Sequence, residues 1–102
     1  MADADAIRLD RFLWFARLAK SRSAAQAIAE KGTLRLDGRR IERSAAPVRV
    51  GAILVFPLYG KVLALRVEAL PKRRGPPGEA ALLYTRLQTQ APKQVDAAES
   101  GA

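Results

Sequence analysis

The chain has 102 residues, enough for one domain with a modest core. Its 18 Lys and Arg outnumber 10 Asp and Glu, giving a net charge of +8 and a pI of about 10.9. That balance calls for a polyanionic partner, with nucleic acid as the first candidate and an anionic membrane surface as the second. The absence of Cys and His excludes a disulfide framework and the usual zinc ligand sets.

No run of about eighteen apolar residues is present, so no membrane span is expected. The opening MADADAIRLD is acidic and lacks the basic-then-apolar pattern of a secretion signal, so the expected location is the cytoplasm. The charge is concentrated. Residues 8–49 carry eleven Lys or Arg against four acids, which is +7 of the total. A segmental excess of this kind resembles a binding footprint more than a solubility device.

Residues 1–7 read as a flexible leader. Residues 8–32 then read as two short helices joined by a basic turn. Asp10 stands at an N-cap position for the first, and Leu9, Phe12, Leu13, Ala16 and Ala19 recur at helical spacing as its buried stripe. Ser21 is the N-cap candidate of the second helix, whose stripe is Ala25, Ile28 and Ala29, and Gly32 suits the left-handed residue that ends it. Arg11, Arg17, Lys20, Arg22 and Lys31 fall off both stripes and face solvent or a polyanion.

Leu34 and Leu36 alternate with polar neighbours as in a half-buried strand, and Asp37-Gly38 is a two-residue hairpin turn of type I′. Arg39, Arg40 and Ile41 begin the return strand, with Arg35 beside them on the outer face. Residues 42–47 read as a loop and Val48-Arg49-Val50 as a short extended piece. Ala52 to Phe56 is a buried strand bounded by Pro57. Leu58-Tyr59-Gly60 turns the chain into residues 61–70, which alternate cleanly. Ala, Leu and Glu there also favour helix, but the preceding turn favours a hairpin. Residues 71–78 are a Pro- and Gly-rich basic linker without regular structure, residues 79–87 a short helix, and residues 88–102 a disordered tail.

These ordered pieces resemble the S-four RNA-binding domain: RLD before an apolar helix, K-S-R-S-x-A-x-x-x-I, G-x-L-x-L-D-G and V-R-V-G-x-x-L-V, together spanning residues 8–56. Leu13-Trp14 and the downstream K-R-R-G-P-P-G-E-A-A-L-L-Y at 72–84 extend the likeness to the ribosome-associated heat-shock protein fifteen family, over roughly residues 8–87. The resemblance implies a small α+β domain of the alpha-L type over residues 8–70. Two helices would pack on a short, mostly antiparallel sheet, followed by a C-terminal extension. It also implies binding to ribosomal RNA on free large ribosomal subunits that retain a nascent chain and its tRNA, in a recycling role under heat stress. Family members carry a longer basic C-terminal extension, whereas here Asp96 and Glu99 lie near the end, and Asp37 replaces the usual Asn of the hairpin.

The residues expected to meet RNA are Arg8, Arg11, Arg17, Lys20, Ser21, Arg22, Gln26 and Lys31 on the helical pair. Arginine forks and helix N-terminal amides both suit phosphate. The bland alternative is a solvated face with surface pairs such as Arg22 or Gln26 with Glu30. Arg35, Arg39, Arg40 and Arg49 either extend the groove or serve as edge-strand charges that block aggregation. Trp14 either stacks on a base or covers the core. Lys72, Arg73 and Arg74 are either a flexible arm or a solvated linker. Asp10 reads as a cap rather than a catalytic acid.

No catalytic residue, metal or cofactor is expected, because the sequence offers no His, no Cys and no paired carboxylates. The chain is expected to be a monomer. Three classes remain in play: an RNA binder, a fragment of an RNA-modifying enzyme, and a generic binder that also takes DNA. A membrane role is the weakest, for want of an exposed apolar insertion face.

Overall fold

The computed structural model describes residues 6–87. The architecture is α+β. Strand β1 (Ala6–Arg8) leads directly into helix α1 (Leu9–Phe15), and α2 (Arg22–Glu30) follows after a tight turn. Strands β2 (Leu34–Leu36) and β3 (Arg39–Ile41) form the first hairpin, and β4 (Pro47–Arg49) returns to pair with β1. Strands β5 (Ile53–Leu58) and β6 (Lys61–Val67) form the second hairpin. A short helix α3 (Pro77–Ala80), a 3-10 turn (Ala81–Leu83) and β7 (Tyr84–Arg86) complete it. The larger sheet is antiparallel with order β3-β2-β5-β6-β7, and β1-β4 is a separate two-stranded ribbon.

The core forms where the helical stripes meet the sheet. Leu9, Phe12 and Leu13 of α1 and Ala25 and Ala29 of α2 are buried against Leu34, Leu54, Phe56, Leu65 and Val67, with Val48 from the ribbon. The small Ala positions of α2 let it lie close to α1. Ser21 caps α2 as predicted, its Oγ accepting from the Ala24 N–H at 3.0 Å.

Asp10 does not cap α1. The flanking position is Arg8, which makes no side-chain cap, and Asp10 sits buried in the first turn. The helix also ends earlier than its apolar stripe implies. Arg17 takes the left-handed conformation (φ 61°), and the N–H groups of Leu18 and Ala19 both donate to the Leu13 carbonyl. Ala16, Leu18 and Ala19 are still buried, so the turn continues the apolar stripe without the helix.

Other elements depart from the sequence-based expectation because pairing partners decide them. Ala6 and Ile7, expected in a leader, form a strand by registering with Arg49 and Val48. Pro57 lies inside β5, not at its boundary. It faces Val62 of β6, and the β2 register, Arg35 with Val55 and Leu36 with Leu54, stops short of it. Residues 61–67 form the hairpin strand and not the rival helix. Residues 79–87 are not one helix: β7 pairs with β6, Tyr84 opposite Val67. The expected linker is pinned in place, and its last two residues, Pro77 and Gly78, open α3. The expectation of disorder over residues 88–102 falls outside the described residues.

Candidate nucleic-acid interface

Cations of the first hairpin, the loop after it and the ribbon line one groove, while those of the helical pair border other parts of the surface. Directly opposed ribbon residues share a face. Ile7 therefore points inward with buried Val48, while Arg8, opposite Pro47, and Arg49, opposite Ala6, share the outer face. The loop after β3 is drawn onto α1 by backbone bonds from the Leu9 N–H to Ala46 O (2.9 Å) and the Asp10 N–H to Ser44 O (3.0 Å). These bonds help close a groove of about 690 Å³ lined by Arg39, Arg40, Arg43 and Arg49, with Asp37 and Glu42 as its acids. Glu42 is engaged by Arg40 at 2.9 Å.

Arg35 and Arg40 stand directly opposite each other in the β2–β3 ladder, and both are exposed. Such a like-charge pair is unfavourable in isolation. The type I′ turn below them is as predicted, with Asp37 at φ 52° and Gly38 at φ 85°. The Asp37 carboxylate also accepts the Ile53 N–H at 2.9 Å, fastening the hairpin to β5. Asn would present the same oxygen, so the Asp costs the fold nothing.

On the helical side the predicted residues divide by role. Arg8 grips Asp10 in a two-pronged pair, Nε to Oδ1 at 3.1 Å and Nη2 to Oδ2 at 3.0 Å. Burial pushes the Asp10 carboxyl up. The hydrogen bond and charge of Arg8, the Arg11 backbone N–H and the Gln26 side chain outweigh it, and the carboxyl ends below its ordinary value. The pair in turn holds Arg8 above the ordinary value of an arginine. Gln26 thus serves Asp10 rather than Glu30. Arg8 and Arg11 border a depression that Phe15 and Lys72 also line.

Arg17 donates from Nε to the Gly75 carbonyl at 2.7 Å, and Arg74 donates from Nε to the Trp14 carbonyl at 3.1 Å. These two bonds strap residues 71–76 across the helical turn. Trp14 is half-buried against the core, with the guanidiniums of Arg22 and Arg74 at 5.5 and 5.8 Å from its ring centre. The ring therefore packs as a cover between two cations. Lys20 and Lys31 are exposed, and the Ser21 hydroxyl is occupied as a cap.

Arg43 is absent from the residues predicted to meet RNA, and Arg74 reads in the sequence only as part of a flexible arm or a solvated linker. Arg43 lies in a loop whose position depends on the α1 amides, and Arg74 joins α1 from sixty residues away in sequence.

The sequence model of the S4 domain family matches residues 7–54, from β1 into β5. The heat shock protein 15 homolog of Haemophilus influenzae is 37% identical over 93 residues, covering 90% of this chain and 70% of that protein. The chain belongs to the heat shock protein 15 family. Heat shock protein 15 of Escherichia coli is 36% identical over 78 residues, and that match takes in 76% of this chain and 58% of the relative. The trimeric structure of heat shock protein 15 from Vibrio cholerae superposes with a TM-score of 0.75 at 29% identity, covering 80% of this chain and 82% of that one. For a heat shock protein 15 family member, the S4 match ends in β5. The strap and β7, which cover Trp14 and the β6 edge, lie beyond it.

Proposed function

We propose that this chain is a non-catalytic RNA-binding protein of the heat-shock response. Its ligand would be ribosomal RNA on the free large ribosomal subunit, with nascent chain and tRNA attached, and its place of action the cytoplasm. The observation that carries the reading is the convergence of Arg39, Arg40, Arg43 and Arg49 on one groove, beside a ribbon face that adds Arg8. Guanidinium forks match phosphate geometry, and the exposed Lys20 and Arg22 add cations at the helical turn. Asp10 reads as a structural group: it is buried and both its carboxylate oxygens are taken up by Arg8.

The test is co-sedimentation with separated ribosomal particles at physiological salt, beside a Lys20→Ala/Arg22→Ala/Arg39→Ala/Arg43→Ala variant. Wild type travelling with the free large subunit, and the variant remaining at the top, is the expected result. Wild type that stays on top but binds naked RNA reduces the reading to a generic RNA binder. Equal affinity for duplex DNA and structured RNA at matched salt reduces it to a general nucleic-acid binder. The Vibrio cholerae relative is described as trimeric. Light scattering of the free chain and of its RNA complex decides whether this one acts as the expected monomer.

A further inference from the structure

Tyr59 is the most exposed large apolar side chain among the described residues, at 80%. It occupies the first central position of the β5–β6 turn with φ 52°, followed by Gly60 at φ 79°. That conformation suits Gly, Asn or Asp, and a bulky ring there is unfavourable for the backbone. A local cost with no buried contact to offset it directs attention to what the ring meets outside the chain.

The ring borders a depression of about 290 Å³. Ala27 and Ile28 of α2 and Pro57 and Leu58 of β5 supply apolar walls, Lys31 supplies a cation, and no carboxylate lines it. Lys61, also exposed, follows the turn. An exposed aromatic face with an apolar wall and a neighbouring ammonium is the set of groups that holds an unpaired base and its phosphate.

The depression adjoins the arginine groove. Gly32 follows Lys31, and a Cβ placed on it would lie 3.0 Å from Nη2 of Arg40, which lines that groove. Glu42 lies equally near Gly32 but is neutralised by Arg40. An anionic strand leaving the groove along Arg40 is thereby led toward Lys31 and Tyr59, with the exposed Glu30 beside Lys31 as the acid nearest in sequence.

We propose that Tyr59 is a stacking seat for one unpaired base of an RNA strand whose phosphates run along Arg40 and Lys31. This rests on the RNA-binding reading above and adds a preference for single-stranded RNA.

The discriminating variant is Tyr59→Asn, since Asn relieves the turn while removing the ring. Binding of the full chain to a short unstructured RNA and to a blunt RNA duplex of equal length is followed by fluorescence anisotropy at fixed salt. For Tyr59→Asn, single-strand affinity is expected to fall by roughly 5- to 100-fold, with duplex affinity unchanged and the thermal midpoint at or above that of wild type. Tyr59→Trp is expected to retain single-strand binding. Equal single-strand affinity of wild type and Tyr59→Asn, or an equal loss on both RNAs, overturns the seat alone. Failure of wild type to bind either RNA at low salt overturns the seat and the RNA-binding reading together.

Discussion

Asp10 is the one buried charged residue among the described residues, and it shows how a single side chain can serve fold and surface at once. It orients Arg8 on the outer face of the ribbon and gathers the Arg11 N–H and Gln26 around the first turn of α1. Because its folded pKa lies below the unfolded one, the unfolded chain binds the proton more readily in the window between them. Its contribution is complete above the ordinary carboxylate range and is lost as pH falls through the depressed value. Urea melts from neutral pH downward are expected to show flat stability and then a decline, which Asp10→Asn makes shallower. Glu68, also lowered, by Thr85 and Arg66, adds to the remaining slope in the same direction. At neutral pH Asp10→Ala is expected to cost about 1–3 kcal/mol, the range for losing hydrogen bonds to a buried charged group. Arg17 carries a different duty. Its left-handed backbone aims Nε at Gly75, so Arg17→Ala is expected to loosen the strap at a cost of about 1–2 kcal/mol. Limited proteolysis should then cut within residues 71–76 before any other described segment.

At the scale of elements, what was legible in the sequence is what short-range chemistry decides. The Asp37-Gly38 turn, the Ser21 cap and a strand from Lys61 are each set by residues within a few positions and each is found, although the strand stops at Val67, short of the expected residue 70, and Ala64 is buried as well as Leu65. The β1 and β7 strands were not legible. Three residues become a strand only when Val48 or Val67 arrives opposite them, and nothing local announces that. The same holds for the site. The cations were visible as a list, but the groove requires the 42–46 loop to be drawn onto α1, and Arg17 and Arg74 turned out to hold the strap. The β2–β3 hairpin also carries a conflict that local pairing does not explain. Arg35 opposite Arg40 opposes the fold, and Glu42 offsets only the Arg40 guanidinium, which leaves the exposed Arg35 for a phosphate to relieve. Arg35→Thr is therefore expected to stabilise the free protein by about 0.2–1 kcal/mol in thermal melts while weakening RNA binding. Unchanged stability would show that the two side chains already splay apart in solution.

For the whole molecule, the question is whether net charge or its placement governs binding. A chain at +8 attracts any polyanion over a Debye length of about 8 Å at physiological salt, and that steering reads only total charge. The fold, however, puts the groove arginines beside β3, while Arg86 lies in β7 at the opposite edge of the five-stranded sheet. Arg43→Ala and Arg86→Ala each remove one positive charge, so they alter steering alike and differ only in location. If phosphate contacts are confined to the groove side, Arg43→Ala should reduce the magnitude of the slope of log K against log salt by roughly 0.7–0.9, the contribution of one neutralised phosphate. Arg86→Ala should leave the slope unchanged. Affinities of the two variants for one structured RNA, titrated from low to physiological salt, make the comparison. Parallel lines displaced by the same amount for both variants would mean that the chain binds RNA through its net charge and that the groove has no privileged place in the complex.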